Sequence, residues 1–65
     1  MATKQEIIDF LKEDSTRRIA IVSFKGVECY NAAEPIGSGE LRGSVIEEME
    51  RDGILVRKDS CYQLA

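Results

Sequence analysis

The sequence predicts one small α+β domain, in the order helix, strand, helix, helix, strand, strand. Three observations predict it. Leu41, Val45, Ile46 and Met49 recur at the spacing of one helix face. Ile54, Val56, Tyr62 and Leu64 alternate with Leu55, Arg57, Cys61 and Gln63 on either side of Lys58-Asp59-Ser60, which is strand period around a short polar turn. Between the two patterns stands Gly53, a residue suited to the left-handed position that ends a helix. Ser38 to Leu64 therefore reads as one helix running into one tight hairpin, and the rest of the chain is arranged around it.

The first helix is expected over about residues 3–13. Thr3-x-x-Glu6 is a capping box, in which each side chain takes the other residue's backbone N–H. Ile7, Ile8 and Leu11 form its buried stripe, Phe10 flanks that stripe, and the polar run Lys12-Glu13-Asp14-Ser15 ends it. Ile19 to Phe24 is short, apolar and β-branched, so a strand over about 19–23 is expected, buried on both faces. Lys25-Gly26 breaks it.

Val27, Tyr30 and Ala33 recur every three residues, which suits a short second helix ended by Pro35. The competing reading is a hairpin through Lys25-Gly26. Lys-Gly is a weaker two-residue turn than Asn-Gly, and the helix is preferred. Pro35-Ile36-Gly37 then turns into Ser38, the expected N-cap of the main helix, with Glu40 near the positive end of the helix dipole. A helix-turn-helix over about 27–52 and a hairpin over about 54–64 follow. The expected core is Ile7, Ile8, Leu11, Ile21, Leu41, Val45, Met49, Leu55 and Tyr62.

Sixty-five residues make one domain with a small stability margin, since such a chain buries only about 60% of its unfolded surface. A composition of 43% hydrophobic and 32% charged residues is that of a soluble domain. No apolar run is long enough to span a membrane, and MATKQEIIDF holds no signal-peptide core, so a cytoplasmic location and no membrane partner are expected. Cys29 and Cys61 lie far apart and form no CxxC, and there is no His, so reduced thiols and no metal or cofactor are expected. Without His there is no Ser-His or Cys-His pair. Gly37-Ser38-Gly39 lacks the Lys of a phosphate loop, and Glu47-Glu48 sit on a helix surface. The chain does not read as an enzyme.

Ile36 to Leu64, with the run Val45-Ile46-x-x-Met49-x-x-x-Gly53-Ile54-Leu55, resembles the second half of winged helix-turn-helix regulators. The resemblance implies a small winged helix-turn-helix fold, α-β-α-α-β-β. Lys4-Gln5-x-Ile7-Ile8-Asp9-Phe10-Leu11, followed by a strand ending in Phe24, is similar to the small dissimilatory sulfite reductase D proteins. Those too are compact winged-helix proteins without an effector domain.

That resemblance implies a DNA-binding transcriptional regulator whose main helix enters the major groove of double-stranded DNA while the wing touches phosphate. The residues available for it are Arg42, Gly43 and Ser44 on the helix, with Lys25, Arg57 and Lys58 around the wing. Charge points the other way. Residues 40–52 hold two cations, Arg42 and Arg51, against Glu40, Glu47, Glu48, Glu50 and Asp52, so one helix carries the whole net charge of −3. Phosphate neutralisation supplies much of DNA affinity, and acids oppose it. The alternative is a protein–protein interaction module that docks a basic protein surface through Glu40, Glu47 and Glu48. A homodimer that pools two wings would add DNA affinity without further cations per chain.

Overall fold

The computed structural model describes residues 2–65. In chain order it has α1 (Lys4–Glu13), β1 (Ile19–Phe24), β2 (Val27–Asn31), α2 (Gly43–Arg51), β3 (Leu55–Lys58) and β4 (Cys61–Leu64). The α+β class holds, with two helices and one four-stranded antiparallel sheet in the order β2-β1-β4-β3. The expected helix over Val27–Ala33 does not form: Val27–Asn31 is a strand, and the helix-turn-helix pair is absent with it. Lys25 and Gly26 both take positive φ, at 51° and 81°, while Phe24 pairs with Val27. This is a two-residue turn with the handedness that matches strand twist. The weaker turn sequence suffices because five cross-strand pairs, from Ala20↔Asn31 to Phe24↔Val27, hold the arms together. The three-residue recurrence was the wrong period.

α1 begins as expected. Thr3 Oγ1 accepts from the Glu6 N–H at 3.2 Å, and Glu6 Oε1 accepts from the Thr3 N–H at 2.9 Å. Its end is closed by Arg17, whose guanidinium donates to the Phe10 carbonyl at 3.1 Å and lies 4.4 Å from the Phe10 ring centre. The same side chain pairs with Glu34 at 3.0 Å, tying α1 to the segment after β2.

α2 starts later than Ser38. Its N-cap is Arg42, with no side-chain cap. Gly37 and Gly39 both take positive φ, and Gly39 N–H donates to Ile36 C=O, so the chain turns twice before a helix can start. The Ala2 N–H then takes the Glu40 carbonyl at 2.8 Å. Glu40 consequently lies outside the helix and gains nothing from its dipole. Gly37, at φ 58°, holds a conformation that favours glycine, and a Cβ there would also push the Glu6 carboxylate, 2.5 Å away, out of the capping box. At the other end Gly53 stops α2 as expected. Its N–H bonds Glu50 C=O and the Ile54 N–H bonds Met49 C=O, which is a Schellman closure.

Both helices lie on one face of the sheet. The core there is Ile7, Phe10, Leu11, Ile19, Ile46, Met49, Leu55 and Tyr62, with Ala2 and Ile36 sealing its edge. Ile8, Ile21, Leu41 and Val45, expected inside, are half-buried and pack against it. Phe10 is core rather than flank. β1 is not buried on both faces: only Ile19 is fully enclosed, and its far half is exposed.

Candidate interaction surface

The pairing register assigns every strand residue to a face, because side chains alternate along a strand. Ile19, Ile21, Tyr30, Leu55, Tyr62 and Leu64 point towards the helices. The other face has no helix on it. There β1 presents Ala20, Val22 and Phe24, and β2 presents Val27, Cys29 and Asn31. β3 presents Val56 and Lys58, and β4 presents Cys61 and Gln63. All four exposed large hydrophobic residues lie on this face: Val22 at 45% exposure, Phe24 at 66%, Val27 at 63% and Val56 at 40%. Of its ten positions one is charged, Lys58.

Part of this face belongs to a projecting arm. β1 pairs with β4 only at Ile19↔Tyr62 and Ala20↔Cys61, with one further bond from Ile21 N–H to Ser60 C=O at 2.8 Å. Val22 to Cys29 extend past the β3–β4 turn as a two-stranded hairpin, exposed throughout. Cys29 and Cys61 are free thiols. A two-stranded ribbon with an apolar side in water is marginal by itself.

On the helix side, a polar cluster rims the core. The buried Tyr62 hydroxyl donates to Glu50 Oε1 at 2.7 Å. Burial first, and Glu50 second, push the Tyr62 phenol up to about 12. Tyr30 packs on Tyr62 with ring centres 6.0 Å apart, and burial raises its phenol pKa too. Arg57 crosses this face to pair with Glu28 of the arm at 3.0 Å.

The DNA-binding candidates are dispersed. Arg42 lies 3.9 Å from Glu40. Gly43 does not open a path to a ligand backbone: a Cβ there would meet the Tyr30 ring at 3.2 Å, so its smallness serves the sheet. Ser44 is exposed on α2. Arg57 and Lys58, adjacent in sequence, point to opposite faces, and Arg57 is already paired. Lys25 sits at the arm tip, 5.5 Å from the Phe24 ring centre. The acidic candidates are scattered as well. Glu47 is exposed on α2, Glu40 is in the preceding loop, and Glu48 pairs with Lys4, whose hydrogen bond lowers the Glu48 pKa.

Cations do gather at a shallow cavity of about 340 Å³ lined by Lys12, Arg17, Arg18 and Ser15. Arg17 is committed there to Glu13 and Glu34, and Arg18 folds back on the Ser15 and Arg17 carbonyls. Among the described residues no group of three or more His, Cys, Asp or Glu is placed to hold a metal, and no helix is long and apolar enough to cross a membrane.

No family model matches the chain, and neither a curated protein nor a solved structure matches it. Sequence reasoning missed the open face because Val22, Phe24 and Val27 were assigned to a buried strand and a helix. A signal for the strand was there, since Val27-Glu28-Cys29-Tyr30 also fits strand alternation, but it does not say which face stays open.

Proposed function

We propose that this domain is a protein–protein interaction module that works through the open face of its sheet. The observation that carries this is the coincidence of all four exposed large hydrophobic residues on the one face without a helix. Exposed apolar side chains gathered on one face mark protein contact sites more often than nucleic-acid sites, which are rich in cations. Glu47, Glu48 and Glu50 lie on α2, on the other side of the sheet, and take no part in this contact.

A DNA-binding reading keeps one specific support. α2 is followed by a hairpin, and β1 runs antiparallel to the last strand, which is the order of a helix and wing. Of the cations assigned to DNA contact, Lys25 and Lys58 make no ion pair among the described residues.

Position-specific photo-cross-linking in cells separates the two. A cross-linker at Val27 or Val56 should yield protein adducts, and one at Glu47 should not. Adducts from Glu47 alone would overturn the sheet-face reading. So would duplex DNA binding at low salt that Lys25→Ala with Lys58→Ala abolishes.

A further inference from the structure

Arg17-Arg18 and the last turn of α1 meet where the sheet stops. β1 begins at Ile19, opposite Tyr62, so the two arginines leave the pairing beside Gln63 and Leu64 instead of joining it. Leu11 and Lys12 of α1 bound the same gap, which is the cavity of about 340 Å³.

Charge is sorted around it. The chain has nine Lys and Arg against twelve Asp and Glu. Three of those cations line the cavity, and none of the acids does. A neighbouring cavity on α1 shows the reverse, with Glu6, Asp9, Glu13 and Glu34 around Arg17. Arg17 borders both, and its pairs with Glu13 and Glu34 belong to the acidic one. Lys12 and Arg18 remain as the open charges of the first.

Their donors are open too. Arg18 donates through Nη1 to the Ser15 and Arg17 carbonyls, both at 2.8 Å, which fixes the guanidinium and leaves Nε and Nη2 unused. Among the described residues the Lys12 ammonium, the Ser15 hydroxyl and the Gln63 amide make no side-chain hydrogen bond and no ion pair. Each of these groups can donate. Leu11 and Leu64 give the cavity an apolar wall.

We propose that this cavity binds a small organic phosphate monoester. Lys12 and Arg18 hold the phosphate, Ser15 and Gln63 donate to it, and the organic part lies against Leu11 and Leu64. A phosphate monoester carries about −1.5 to −2 charge near neutral pH, which two cations match, whereas a carboxylate would leave one unmatched. Because Arg18 is held before a ligand arrives, little ordering is lost on binding. The volume is at the small end of ligand cavities, so the organic part is no larger than about one ring. The site does not depend on what the open sheet face binds.

The test is a nuclear magnetic resonance titration of the isotope-labelled chain with phenyl phosphate at constant ionic strength. Backbone amides at Lys12, Ser15, Arg18 and Leu64 should move together and saturate in the millimolar range that so few ligand atoms allow. Inorganic phosphate should bind at least about threefold more weakly, because it buries no apolar surface. Phenol should leave these amides unmoved. Lys12→Gln with Arg18→Gln should weaken binding by at least about tenfold. Arg18 also closes its own loop, so Lys12→Gln alone is the second variant. Lys12 is exposed, circular dichroism should show its variant folded, and the affinity should fall about threefold or more.

No saturating shift at tens of millimolar phenyl phosphate overturns the site. So does an affinity that both variants leave unchanged, or phenol moving the same amides. Benzoate bound as tightly as phenyl phosphate overturns the choice of phosphate. A short DNA duplex that moves these amides at a lower phosphate concentration overturns the small ligand in favour of nucleic acid.

Discussion

At the scale of single residues, Tyr62 joins the core to the polar rim. Its ring is buried against Tyr30 and the core, and its hydroxyl is held by Glu50. The folded-state pKa, about 12, lies above the ordinary 10.0. A raised pKa means that the neutral phenol stabilises the fold at every pH below about 10. The contribution is then lost as pH rises towards 12, because the unfolded chain gives up the proton first. The loss is on the order of 2 kcal/mol. Urea melts at pH values from 8 to about 12 should therefore show a steeper alkaline decline for the wild type than for Tyr62→Phe. Near neutral pH the same variant should cost about 1 kcal/mol for the missing hydrogen bond. Parallel pH profiles for the two proteins would show that Tyr62 does not carry the alkaline decline.

At the scale of elements, the β1–β2 hairpin is where local preference and pairing disagree. Lys25 is held at φ 51°, a region that costs a side chain with a Cβ about 1–2 kcal/mol and costs Asn less. Lys25→Asn should consequently raise stability by about 0.5–1 kcal/mol, read from denaturant midpoints at constant slope. No gain would mean that the hairpin turn is not the conformation populated in solution. α1 and α2 show the opposite case. The capping box of α1 and the Gly53 stop of α2 are local devices, and both are found where their residues place them. The start of α2 is not local, because Ala2 holds Glu40 and two left-handed glycines precede the helix.

At the scale of the whole molecule, one layer of helices covers one sheet face, and a small core carries the stability. Met49 and Ile46 are fully buried at its centre. Met49→Ala should cost about 2–5 kcal/mol, the range for removing a large core side chain. A domain of this size has a total stability of roughly 3–10 kcal/mol, so the variant should be partly or wholly unfolded by urea titration or circular dichroism. A loss below about 1 kcal/mol would show that the core does not close around Met49.

The α+β class, both helices, the final hairpin and most of the helix-side core were legible in the sequence, because caps, glycine stops and 3.6-residue and two-residue periods act within a few residues of chain. Five of the nine expected core residues are fully buried, and the other four lie against them. The state of Val27–Asn31 was decided only by tertiary structure. Its apolar residues fit two periods, and the five cross-strand pairs with β1, from Phe24↔Val27 to Ala20↔Asn31, outweigh its local turn preference. The separation of Arg57 from Lys58 was settled by the sheet, as a one-residue step along a strand reverses the face. The open apolar face was settled in the same way. Which side of a sheet the helices cover depends on where both helices return after their loops, and no local pattern in β1 or β2 records it.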